Sequence, residues 1–169
     1  MRRETSCFDI RICPRRRIVC MPEKETLERA REDEREGKSP STQAGEFVRE
    51  EMEHIREGEH GARSAKQAIA IGLSKARRAG VKLPPPKKGT TSKKVRRQAK
   101  RDLKRSRSRK RPSKARSRAA KRRLKKEPRS AASHRALSRQ AHAAARKRTK
   151  ADRSRAAKKA AATRKKKKH

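Results

Sequence analysis

Apolar positions recur with a helical period in one stretch of the chain, residues 39–83. In its first half the apolar side chains are spaced three or four positions apart, which places them on one stripe of a helix. Pro40 suits the first helical position and Gly58 suits the end of the helix. The pattern predicts a helix over about 40–57. The stripe consists of Ala44, Phe47, Val48, Glu51, Met52 and Ile55, all apolar except Glu51.

A second helix is predicted in the other half of this stretch. Ser64 and Gln67 have the spacing of a capping box just before an apolar run. Gly80 lies where a left-handed residue commonly ends a helix. Gly72 falls on the apolar stripe and predicts a close approach of a second backbone. The stripe consists of Ala65, Ala68, Ile69, Gly72, Leu73 and Ala76.

The two helices, joined by residues 58–63, predict an antiparallel hairpin. Its core would be small, because it draws on only eight apolar side chains, and units of this size rarely bury enough surface to be stable alone. We therefore expect either self-association or packing against a further helix. The predicted core is Phe47, Val48, Met52, Ile55, Ile69, Leu73, Val81 and Leu83. The residues assigned to a self-association or partner face are Phe47, Val48, Met52, Ile55, Ile69, Ile71 and Leu73.

The remaining chain divides by composition. Residues 1–20 differ from the rest, and because Met21 is a natural start we interpret them as an atypical leader, with the hypothesis that they are an upstream extension and not part of the native protein. Residues 21–38 alternate opposite charges and predict a solvated helix, with folding of this acidic segment over the basic tail as the functional alternative. Three consecutive prolines make residues 84–91 a linker. Residues 92–169 form a tail rich in Lys, Arg and Ala.

Short helical patterns recur within this tail. Apolar residues, mostly alanine, are spaced for helices in residues 92–104, 113–126, 130–147 and 156–163. The density of positive charge opposes a folded tail until a polyanion neutralises it. The expected fold class is mostly α: a short helical hairpin followed by a long, largely disordered basic tail with nascent helices.

The formal charge of the chain is concentrated in one half. The 169 residues carry a net charge of +39. Residues 87–169 hold 38 Lys and Arg against three acidic residues, or +35, which leaves +4 for residues 1–86. Such an arm is typical of a protein that binds a polyanion. No stretch approaches the roughly 18 apolar residues of a membrane span, and no secretory signal is recognised, so we expect a cytoplasmic protein with no membrane partner.

The basic side chains of the tail are the candidate nucleic-acid ligands, since each neutralises a phosphate and releases counterions. The chain has no Trp or Tyr and two Phe, which argues against base stacking on single strands and favours duplexes. The candidates are Lys93, Lys94, Arg96, Arg97, Lys100, Arg101, Arg105, Arg107, Arg109, Lys110, Arg111, Lys121, Arg122, Arg123, Arg146, Lys147, Arg148, Arg164, Lys165 and Lys166.

The residues that commonly carry catalysis or bind metals form no recognised motif. Three cysteines lie in the leader without a C-x-x-C pair. A metal site at His54 and His60 is conceivable, but we interpret both as exposed. The carboxylates of Glu50 and Glu51 are expected on an exposed helix without a pocket. The sequence therefore predicts no enzyme, no cofactor and no metal.

The segment KSPSTQAGEFVREEMEHIREGEHGARSAKQAIAIGLSKARRAGVKLPPPKKG resembles an uncharacterised family of small basic bacterial proteins, and RSAASHRALSRQAHAAARKR resembles it more loosely. That resemblance supplies no catalytic residues. The ending AAKKAAATRKKKK is similar in composition to the tails of histone-one-like bacterial proteins. Together these resemblances imply a nucleoid-associated role in a bacterium.

The expected function is sequence-nonspecific binding of DNA, with phosphates contacted by the tail and with the hairpin free for self-association, as a homo-oligomer, or for docking of a partner. Binding of RNA or association with the ribosome is the first alternative, because a basic tail alone does not distinguish duplexes. The second alternative is an adaptor whose hairpin face around Ile69, Ile71 and Leu73 binds a partner protein.

Overall fold

The computed structural model describes residues 22–108 and 113–166, without the side chain of residue 166. The predicted leader and the candidate ligands Arg109, Lys110 and Arg111 lie outside the described residues. Seven α-helices and a short 3-10 helix, η1, make up the described chain: α1 Lys24–Arg35, α2 Pro40–Glu57, α3 Ala65–Ala79, α4 Lys93–Ser106, α5 Lys114–Lys125, η1 Arg129–Ala132, α6 His134–Arg146 and α7 Lys150–Lys166. The mostly-α class is confirmed. None of these helices is long and apolar enough to cross a membrane.

The predicted hairpin is present as α2 and α3. The side chain of Ser64 accepts a hydrogen bond from the backbone N–H of Gln67, as the capping pattern predicts. Gly58 and Gly80 end the two helices in the left-handed conformation, at φ 85° and 109°. At Gly72 a methyl group would lie 2.7 Å from the Cα of Val48. The two helices therefore cross as closely as they do because this position has no side chain.

Helix α1 is packed on the hairpin, which corrects the expectation of a solvated helix. Its residues Thr26, Ala30 and Asp33 are buried. Arg29 Nε donates to Glu46 Oε2 on α2 at 3.0 Å. Leu27 and Ala30 are the only apolar residues in this helix, and their small contact area suffices because Ala30 fits against the α2–α3 cluster around Phe47.

The described part of the tail is mostly helical and two of its segments complete the core, which corrects the expectation of a largely disordered arm. Ala131 and Ala132 of η1 are buried against Met52 and Ile55, and Leu137 of α6 packs beside them. Helix α4 packs on α3. Of the two expectations for the thin hairpin core, packing against further helices is the one observed, and those helices belong to the same chain.

The hairpin turn is the place where the tail docks. The backbone N–H of Gly61 donates to the Leu124 carbonyl at 2.9 Å, and that of Ala62 donates to the Pro128 carbonyl at 3.0 Å. A methyl group at Gly61 would overlap the carbonyl of Glu127. Glycine is therefore required at position 61 to let the two backbones meet.

The face assigned to self-association or partner docking is largely internal. Phe47, Met52 and Ile55 are buried within the single chain, because α1, α3 and η1 cover them. Val48, Ile69, Ile71 and Leu73 are half-buried. Six of these seven residues belong to the two apolar clusters of the core, and Ile71 is half-buried outside them.

Candidate functional sites

The basic side chains on α4 face solvent along most of the helix. One side of α4 packs on α3 through Ala99 and Asp102, both buried. Asp102 accepts from the Ser74 hydroxyl at 2.7 Å and from Gln98 Nε2 at 3.1 Å. Asp102 therefore links α4 to Ser74 of the hairpin. The exposed cations on the other side are Lys93, Lys94, Arg97, Lys100, Arg101, Lys104 and Arg105; Arg96 is half-buried.

Helices α5 and α7 expose basic side chains without a packed apolar face. No residue of α5 is buried, and every residue from 150 to 165 is exposed. In α7 the one acidic residue, Asp152, receives a hydrogen bond from Thr149 and pairs with Arg155 at 3.2 Å. The hydrogen bond from Thr149 lowers the pKa of Asp152. Asp152 therefore pairs with one arginine of this basic helix.

The remaining candidate phosphate ligands are also at the surface. Arg107, Arg122, Arg123, Arg146, Lys147, Arg148, Arg164 and Lys165 are exposed and Lys121 is half-buried, while Lys166 lies in α7. These side chains are spread over several helices.

A second site lies inside the hairpin and was not predicted. Glu50 and Glu51 of α2 and Lys75 of α3 have side chains that are 2%, 0% and 1% exposed. Lys75 Nζ lies 3.1 Å from Glu50 Oε1 and 2.8 Å from Glu51 Oε2. Burial opposes the charged ammonium, but Glu51 and Glu50 together outweigh it and raise the pKa of Lys75. The three side chains form a buried ion-pair network.

His54 and His60 extend this network toward the hairpin turn. Both are buried, with their ring centroids 6.3 Å apart. His54 Nε2 lies 3.0 Å from Glu23 Oε1, and His60 Nδ1 lies 3.1 Å from the carbonyl of Gly61. The expectations of exposed histidines and of an exposed Glu50–Glu51 pair are therefore wrong.

The covering elements explain why these residues are buried. Residues 23–35 lie over one side of α2, and the segment after α5 closes over the turn at Gly61. The available sequence signal was Glu51, an acidic residue on an apolar stripe, together with Lys75 beside the stripe of α3. A charge on an apolar stripe indicates a buried partner of opposite charge.

Among the comparisons with known proteins, one family model matches a segment of the chain. Residues 39–88, fewer than a third of the chain, match the model of a family of unknown function (DUF6496). The resemblance to an uncharacterised family thus applies to the segment that holds α2, α3 and the proline linker. This segment contains Glu50, Glu51, His54, His60 and Lys75. Comparisons with curated proteins and with solved structures found no match.

Proposed function

We propose that this protein binds duplex nucleic acid, DNA in the first instance, through the phosphate backbone and without sequence preference. The observation that supports the proposal is the exposure of lysine and arginine along α4, α5 and α7. Asp102, one of the three acidic residues after position 86, is buried, so the surface of these helices carries far more positive than negative charge. A polyanion supplies the missing negative charge and gains by counterion release.

In this proposal the hairpin is a platform for the basic helices. It fixes α4 through Asp102 and fixes the end of α5 through Gly61. A tail attached in this way differs from a flexible arm, because the hairpin holds the cations of α4 and of the end of α5 at a defined spacing. Association with the nucleoid belongs to the same proposal, as does the alternative of duplex RNA, which offers a similar density of phosphates.

A salt titration with charge variants of the full chain tests the proposal. The test variant replaces Lys158, Lys159 and Lys165, exposed cations of α7, by Gln. The control replaces Lys24, Arg31 and Arg35, exposed cations of α1, by Gln and so removes the same amount of charge. Each lost phosphate contact lowers the slope of log K against log salt by about 0.9 on B-DNA.

We expect the α7 variant to lose up to about 2.7 of that slope and the α1 control to keep it. Equal loss in both variants would reduce the effect to net charge alone and would contradict a tail-specific contact. The same titration on duplex RNA of equal length gives the preference between the two duplexes. Absence of measurable binding to either duplex at low salt would contradict the proposal.

A further inference from the structure

Three side chains at the hairpin turn direct ligand atoms toward a common point. A carboxylate oxygen of Glu51 and one ring nitrogen each of His54 and His60 all lie within 4.8 Å of one another. Glu51 Oε1 is 3.4 Å from His60 Nε2. Two ligands of a tetrahedral ion with bonds of about 2.0–2.1 Å lie about 3.4 Å apart. One edge of such a site is therefore already at its bound spacing.

Each imidazole is oriented by a hydrogen bond on the ring nitrogen that faces away from Glu51. His54 Nε2 faces the carboxylate of Glu23, and His60 Nδ1 faces the carbonyl of Gly61. Both partners are acceptors, so the ring hydrogen of each neutral histidine lies on the outer nitrogen. The lone pairs are then left on His54 Nδ1 and His60 Nε2. Carboxylate or carbonyl acceptors behind a histidine are the usual outer shell of a metal ligand.

The inward-facing atoms lack hydrogen-bond partners. His54 Nδ1, His60 Nε2 and both oxygens of Glu51 are buried without a hydrogen bond. Glu51 Oε2 has the Lys75 ammonium 2.8 Å away as an ion pair, so Oε1 is the oxygen left over. It faces the lone pair of His60. Two acceptors facing each other in a dry site require a cation or a proton between them.

The charge balance of the interior also calls for a cation. Glu50 and Glu51 are buried with one lysine, which leaves one negative charge unmatched. Glu23 and Glu59, each about a quarter exposed, add further carboxylates at the rim of the same histidine. A buried charge of this kind is retained only when it is paired.

We propose that Glu51, His54 and His60 bind a divalent transition-metal ion of the Zn²⁺ class. Two imidazole nitrogens and one carboxylate oxygen suit such an ion, whereas Ca²⁺ and Mg²⁺ prefer oxygen ligands alone. Glu50 and Glu59 each hold an oxygen 3.9 Å from His54 Nδ1, within reach of a fourth position. The ion would join α2 to the turn on which the tail docks, and its role would be structural.

A zinc titration of the full-length chain tests this site. Cys7, Cys13 and Cys20 are first replaced by Ser, because thiolates bind zinc on their own. The metal-stripped protein is then titrated with Zn²⁺ by calorimetry, without nucleic acid. Matched variants are His60→Gln at the site and a double variant of the exposed tail histidines, His134→Gln with His142→Gln.

We expect one equivalent of Zn²⁺ in the parent and in the tail variant, and at least a 100-fold loss of affinity in His60→Gln. Glu23→Gln, which replaces the carboxylate behind His54 by an amide, is expected to weaken binding about 10–100-fold. Affinity unchanged in both site variants, or no binding by the parent, would overturn the proposal in favour of protonated histidines. Should His60→Gln fail to fold by circular dichroism, X-ray absorption of the zinc-bound parent decides. A shell with two imidazoles supports the site, and a shell of oxygens alone overturns it.

Discussion

The hairpin and the tail of this protein use the same charged residue types in opposite ways. In the hairpin, Glu50, Glu51 and Lys75 lie inside the molecule and are paired with one another. In the tail, the lysines and arginines of residues 150–165 lie on the surface. Inside, each charge depends on a particular neighbour for its stability. Outside, water stabilises each charge, and a mobile polyanion can share them.

This contrast indicates which substitutions matter to folding and which matter to binding. A buried charge that loses its partner retains the cost of desolvation and loses the attraction that offset it. An exposed charge can be removed with almost no effect on the folded state. The predictions below vary charge and packing across the two regions and are ordered by the size of the expected change in stability.

Replacing Lys75 by Met is expected to have the largest effect. It leaves Glu50 and Glu51 together in the interior without a counterion, which costs about 3–5 kcal/mol of unfolding free energy. The control is Lys66→Met on the exposed side of the same helix, for which a change within about 0.5 kcal/mol is expected. Urea denaturation measures both. Equal stability of the two variants would show that the network is not closed to water.

Replacing Gly61 by Ala tests the junction between the two regions. The added methyl overlaps the Glu127 carbonyl, so the segment after α5 must move away, at a cost of about 1–3 kcal/mol. Gly45→Ala is the matched control, because nothing lies near its Cβ and alanine in a helix is better by about 0.5–1 kcal/mol. Amide hydrogen exchange should show lost protection at Ala62 in the first variant alone.

Replacing Asp102 by Ala tests the attachment of α4. The hydroxyl of Ser74 and the amide of Gln98 lose their acceptor, for a cost of about 1–2 kcal/mol, because both partners retain some access to water. Asp152→Ala is the control, since that carboxylate is exposed on α7. Thermal unfolding compares them, and a larger loss in the α7 variant would contradict the docking role of Asp102.

The smallest effect is expected from the triple Lys→Gln variant of α7. Its positions 158, 159 and 165 are exposed, and surface changes of this kind stay within about 0.5 kcal/mol. The same protein should show the reduced salt slope on DNA. A large loss of stability that accompanies the reduced salt slope would mean that the tail charges also stabilise the folded state.

The sequence predicted helices well and their partners poorly. Residues 40–57 follow from a local stripe and from the glycine after it, and the structure has the same bounds. Likewise Ser64 and Gly80 set the ends of α3 through local backbone chemistry. The docking of Ala131 and Ala132 is a contact between distant positions, and no local pattern in an alanine-rich tail distinguishes a buried alanine from an exposed one.

The interior site was missed for the same reason. Glu51 was visible on the apolar stripe, yet its burial depends on Lys75, which approaches only because Gly72 brings the helices together. His60 lies in a turn, where exposure is the ordinary expectation. Its burial depends on backbone atoms contributed by residues 124–128. The exposed cations of the tail needed no such tertiary information, because charge density alone predicts them.

The hydrogen bond from Arg56 Nε to the carbonyl of Ala132 closes at 3.1 Å over a separation of 76 residues. During synthesis the hairpin therefore leaves the ribosome long before the residues that complete its core. Translation adds about 5–20 residues per second. For several seconds, therefore, Met52 and Ile55 of α2 are not yet covered by Ala131 and Ala132. The basic helices α4 and α5 emerge within this interval, close to ribosomal RNA. Under the proposed function, folding of the core and binding of ribosomal RNA by these helices compete in time.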